Sequence, residues 1–215
     1  MSTSVAAPRP MLRGWSHAIA VPPAIAGAIT LVVVSGGDAA RRISLAVYGT
    51  SLVLLFAVSA TYHRWPLTAR SRGFWRRLDH AMIFVAIAGT YTPVVVNVLR
   101  GWQSPVLLTA IWVLAGSGVI VATLGIPLPR GVTVGLYIGV GWTIVFFLPA
   151  LAERVHAGGL VLLVIGAALY SAGAIMYALR RPRLWPGVFG YHEAFHMLVI
   201  AASGVFFVFI AATVG

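Results

Sequence analysis

With 215 residues, 60% of them apolar and 9% charged, and a mean hydropathy of +0.96, the chain carries far fewer charges than a water-soluble domain, where about a quarter of residues are charged. A bilayer's hydrocarbon layer takes roughly 20 apolar residues per helical crossing, so this length accommodates about seven or eight spans with short loops and leaves no room for a soluble domain. The formal charge of +11 comes from 15 arginines, no lysine and four acids. In a soluble domain that balance would point to nucleic acid; here it marks topology, and no nucleic-acid partner is expected. The absence of cysteine excludes disulfides, thiolate metal sites and cysteine nucleophiles, so any metal must use histidine, carboxylate or hydroxyl.

Taken in chain order, the apolar runs predict an all-α, seven-transmembrane-helix bundle forming a single domain over residues 1–215, with helices near 15–35, 43–63, 78–99, 105–125, 131–151, 158–179 and 188–214. The first run follows Arg9 and Arg13, and no small-residue cleavage site precedes Gly36-Gly37-Asp38, so a retained helix is expected. Pro22-Pro23 in helix 1 and Pro93 in helix 3 should kink or locally open their helices. Helix 3 is expected to start at Leu78-Asp79-His80, with Asp79 in its first turn. Helix 5 carries Gly131, Gly135 and Gly139, and helix 6 carries Gly159, Gly166 and Gly173; both sets are assigned to close helix packing. Trp65, Trp75, Trp102 and Trp185 read as interfacial anchors near helix ends.

Arginine placement orients the bundle, because basic loops stay in the cytoplasm. Eleven arginines fall on one side, at Arg9, Arg13, Arg64, Arg70, Arg72, Arg76, Arg77, Arg130, Arg180, Arg181 and Arg183, against Arg41, Arg42, Arg100 and Arg154 on the other. A cytoplasmic N-terminus and an outside C-terminus in the plasma (inner) membrane follow. The cluster between helices 2 and 3 marks topology first; it would also attract anionic headgroups at about 1 kcal/mol per arginine.

Ionisable side chains near membrane depth are costly, which makes them functional candidates. Helix 2 runs inward and ends in Ser59-Ala-Thr-Tyr-His63, placing Ser59 and His63 one turn apart on one face. Helix 3 brings Asp79, and helix 7 starts with Tyr191-His192-Glu193-Ala-Phe-His196, whose two histidines share a face. Three helices thus deliver His63, Asp79, His192 and His196 to one depth. Three imidazoles and a water make an open tetrahedral zinc site, in which the water's pKa falls towards ~7 and it becomes a nucleophile. Asp79 would hold that water or take its proton, and Ser59 would hydrogen-bond a ligand or the reacting carbonyl. His192-Glu-Ala-Phe-His196 also matches H-E-x-x-H, with glutamate as base, although Glu193 equally suits the dipole of a first helical turn. His80 points about 100° from Asp79 and is read as supporting or structural; His156 is read as an outer-loop residue without partners, and His17 as a residue that can line the same cavity.

These blocks, together with Ile87-Ala-Gly-Thr-Tyr-Thr-Pro93, make the chain resemble the hemolysin III group of the progestin and adipoQ receptor (adiponectin-receptor-like) superfamily. The resemblance implies a seven-helix bundle with a cytoplasmic N-terminus, zinc held by His63, His192 and His196, and supporting roles for Ser59 and Asp79. It also implies, for relatives, ceramidase-like lipid amide hydrolysis, hormone reception or cytolysis. About 14 residues precede helix 1, so the extramembrane region that hormone receptors of the group carry is not expected.

Three functions remain after the sequence is read. The first is a zinc-dependent intramembrane hydrolase of a lipid amide or ester, its substrate entering from the bilayer. The second is a membrane sensor or regulator with a structural zinc site, Asp79 being the fourth ligand. The third, a pore-forming cytolysin, needs a polar lining through several helices, and helices 4 to 6 contain no acid or arginine within their spans. The sequence does not specify an oligomeric state.

Overall fold

The computed structural model describes residues 10–215; Arg9 lies outside the described residues. Seven helices are long and apolar enough to cross a membrane: α1 (Trp15–Val34), α2 (Ala39–Arg64), α3 (Ala69–Asn97), α4 (Gln103–Leu124), α5 (Arg130–Ala152), α6 (Ala157–Leu179) and α7 (Tyr191–Thr213). Helices are the natural outcome for such runs, because lipid offers no partner for a backbone amide and a helix satisfies its own. Polar side chains set the starts. Asp38 Oδ1 accepts from the Arg41 amide at 3.0 Å to open α2, and Thr68 Oγ1 accepts from the Ser71 amide at 3.3 Å to open α3.

The Thr68 cap corrects one boundary. Helix α3 begins at Ala69, not at residue 78, so Arg70, Arg72, Arg76 and Arg77 ride on its first turns and Asp79 stands in its third. Hydropathy marks where a helix is lipid-soluble, whereas the cap marks where it begins, and arginine is a good helix former.

Helix α5 is interrupted. An α-helical start, Arg130–Gly141, passes into a 3-10 segment, Trp142–Phe147, before Leu148–Ala152 resumes α-geometry. Pro149, second in that last stretch, has no amide to give to the residue four before it. Tyr91 of α3 fastens the transition, donating its hydroxyl to the Gly141 carbonyl at 2.7 Å and accepting from the Ile144 amide at 2.8 Å.

The most extensive packing joins α2 to α1 and α3, α3 to α4, and α6 to α7, while α1 and α7 close the ring. Leu45, Tyr48, Val95, Ile111 and Ile210 form part of the fully buried core. The two glycine series differ. A Cβ on Gly166 would lie 2.6 Å from Phe206, and one on Gly173 would lie 3.3 Å from Leu198 and from Phe195, so these two glycines admit α7 as expected. A Cβ on Gly159 would instead meet Val155, just before its own helix, and no neighbouring helix. Gly131, Gly135 and Gly139 have nothing within 4 Å of such a Cβ, which overturns their assignment to packing within the chain. Val134 and Val140 are the buried residues of this stretch, and the glycine face points out of the bundle.

Candidate metal centre

The last turn of α2 and the first two turns of α7 meet. His63 Nε2 lies 3.1 Å from His192 Nε2, and ligand atoms of His63, His192 and His196 all lie within 4.8 Å of one another. The i, i+4 spacing of His192 and His196 stacks them on the face that meets α2, with ring centroids 4.5 Å apart. Neutral imidazoles on a tetrahedral zinc, bonded at about 2.0–2.1 Å, would stand with their nitrogens roughly 3.3 Å apart. The His63–His192 separation fits that edge. His196, 2% exposed, keeps a buried Nδ1 without a hydrogen-bond partner. The donor set and spacing therefore fit a metal ion held by three imidazoles.

Asp79 enters from α3 with Oδ2 3.9 Å from His63 Nε2, and the buried Ser59, one turn before His63, lines the same cavity as Asp79. The sequence-derived set Ser59, His63, Asp79, His192 and His196 is thus brought together. Glu193 is not turned to it. One carboxylate oxygen pairs with Arg13 Nε at 2.6 Å and the other accepts from the Gly190 amide at 2.8 Å, a capping arrangement at the start of α7. Glu193 therefore holds the N-terminal segment against α7, and the H-E-x-x-H match does not describe a general base. His156 is no loop bystander either, since its Nδ1 accepts from the Gly159 amide at 3.0 Å and caps α6.

The sequence underweighted His17. Its ring lies parallel to that of His196, with centroids 3.9 Å apart and planes 2° apart, and neither of its buried nitrogens has a hydrogen-bond partner. It forms a flat support behind the His196 ring. Only tertiary contact between α1 and α7 reveals this, although a histidine near the start of a lipid-soluble helix is itself unusual.

These groups line a cavity of about 600 Å³ bounded by residues of every helix except α4. Arg13, Arg72, Arg76, Arg130 and Arg180 line it near the helix termini that carry His63 and His192, and the rest of the lining is mainly apolar, with Ile83, Val94, Leu163, Val199 and Phe209 among others. Tyr137 and Tyr177, which the sequence did not single out, also line it. The Arg130 guanidinium lies 3.7 Å above the Tyr177 ring centroid, and that ring is 5.6 Å from His192.

Residues 5–207 match the family model described as "Haemolysin-III related". The chain is also 32% identical to Hemolysin-3 of Bacillus cereus over 194 residues, covering 89% of this chain and 85% of that one. A second relative, the Hemolysin-3 homolog of Bacillus subtilis (strain 168), is 28% identical over 195 residues, with 89% and 88% covered. The chain belongs to the haemolysin-III-related family.

The resemblance read from the three sequence blocks is therefore correct. In this haemolysin-III-related chain the match runs from before α1 into α7 and includes each histidine of the centre. It is a multi-pass membrane protein whose lipid surroundings follow from its seven apolar spans. Its group of His63, His192 and His196 can hold a metal ion.

Proposed function

We propose that this chain is a zinc-dependent intramembrane hydrolase acting on a lipid amide or ester, ceramidase-like in chemistry, set in the plasma (inner) membrane with its N-terminus in the cytoplasm. One observation carries the reading: three imidazoles, a carboxylate and a hydroxyl line one cavity together with basic residues and a mainly apolar wall. An acyl chain suits that wall, and its carbonyl then lies among the polar groups. Zinc, which His63, His192 and His196 would hold, would supply a Lewis acid and a nucleophilic water at neutral pH. Asp79 would take the proton from the attacking water and return it to the nitrogen or oxygen that departs as the acyl bond breaks. Ser59 donates to the carbonyl oxygen or orients Asp79.

A structural zinc site is the second reading, favoured by Asp79 lying 3.9 Å from His63, where it would serve as a fourth ligand. The name hemolysin, carried by the relatives, raises cytolysis for them; the mainly apolar lining of this cavity does not favour a pore. The discriminating experiment measures fatty-acid release from ceramide by purified protein with metal, beside Ser59→Ala and Asp79→Asn. Hydrolysis lost in variants that keep metal supports catalysis. Full metal content without turnover in the wild type supports the structural site. For orientation, a reporter fused to the C-terminus should be active only outside the cytoplasm.

A further inference from the structure

The arginines that line the cavity outnumber the carboxylates that line it. Among the described residues, Arg13 is the one of these arginines ion-paired to a carboxylate, through Glu193. Arg72 Nη1 and Arg130 Nε are buried nitrogens without a hydrogen-bond partner. Both residues line the cavity, alongside Arg76. Arg72 is anchored by Nη2 donating to the Leu67 carbonyl at 3.3 Å, and Arg130 is flanked by the rings of Tyr177 and Tyr191. A buried guanidinium nitrogen left unmet is costly, and topology marking does not require it, since an exposed arginine marks the cytoplasmic side equally well. Guanidinium groups match phosphate and carboxylate oxygens geometrically.

We infer that Arg72 and Arg130, in the first turns of α3 and α5, form an anion subsite in the cavity, and that the lipid it takes carries an anionic headgroup, phosphate or carboxylate, with its acyl chain against the apolar lining. The inference rests on the lipid-hydrolase reading for the identity of the occupant; its test reads binding and does not. Arg130 stands one ring away from His192, through Tyr177, so the subsite adjoins the metal centre.

The test uses the full chain in neutral detergent and native mass spectrometry, with three single-chain lipids bearing the same oleoyl tail: lysophosphatidic acid, lysophosphatidylcholine and monooleoylglycerol. Lysophosphatidic acid should bind at least about tenfold more tightly than the other two. Arg72→Gln with Arg130→Gln should reduce that preference to within about twofold, whereas Arg183→Gln, an exposed arginine of the same end outside the cavity, should leave it intact. The His63/His192/His196 alanine variant should also retain it. Equal binding of the three lipids by the wild type overturns the inference whether or not the variants fold, as does a preference that survives the double substitution. Inorganic phosphate that displaces the lipid at equal concentration assigns the subsite to a free anion and overturns the lipid claim. Anionic preference without any lipid hydrolysis leaves this inference standing and removes the hydrolase; hydrolysis of neutral ceramide without anionic preference does the reverse.

Discussion

The walls of the cavity differ in how firmly they are built. Helices α2, α3 and α7, which carry Ser59, His63, Asp79, His192 and His196, sit in the most closely packed part of the bundle. A Cβ on Gly49 would lie 2.5 Å from Ala28, and one on Gly89 would overlap the Ser51 side chain. Helix α5, which carries Arg130 and Tyr137, touches its neighbours less extensively, contains a 3-10 break and turns its glycines outward. Ligand geometry needs a rigid frame; an apolar chamber that admits a chain from lipid is served by a wall with fewer constraints.

The sharpest way to break this comparison is to remove one chemical group from each wall. His196→Ala should abolish stoichiometric metal, whereas Tyr137→Phe on α5 should leave metal content unchanged; loss of metal from both would mean that the walls act as one unit. Packing gives the next effect. Gly89→Ala should destabilise the protein by about 1–3 kcal/mol through overpacking against Ser51, while Gly135→Ala should be neutral or stabilising by up to about 1 kcal/mol, since alanine is the better helix former and meets nothing. Thermal unfolding in detergent reads both. Tyr91→Phe tests the fastening between the walls. It leaves the Ile144 amide without its partner, costing about 1–3 kcal/mol, and should speed hydrogen exchange across Trp142–Phe147 while sparing α7. The smallest effect is expected at His17, where Ala should weaken metal binding by up to about tenfold and Phe, which keeps a flat ring against His196, by less. Equal loss in the two variants would remove the stacking role.

Much of this arrangement is readable from residue order. Seven spans follow from hydropathy because the bilayer tolerates few alternatives. His63, His192 and His196 agree in depth because each is counted from a helix end at a common interface. Asp79, in the third turn of α3, reaches that depth because the apolar run rather than the helix start marks the interface there. What residue order hides is facing. Gly131, Gly135 and Gly139 have the spacing of a packing seam and lie on the outer face, because spacing permits close approach without choosing a neighbour. The start of α3 is misplaced for a related reason: the arginines after Thr68 end the apolar run but not the helix. The His17–His196 stack, the Arg13–Glu193 pair and the placement of Arg130 on Tyr177 join residues 47 to 180 positions apart, and only the fold brings them together.

The central claim is tested most directly by elemental analysis of purified wild-type protein beside the His63/His192/His196 alanine variant, both shown to be folded. About one zinc per chain in the wild type and none in the variant is the predicted result. No metal in the wild type, or equal metal in the two proteins, would contradict the account.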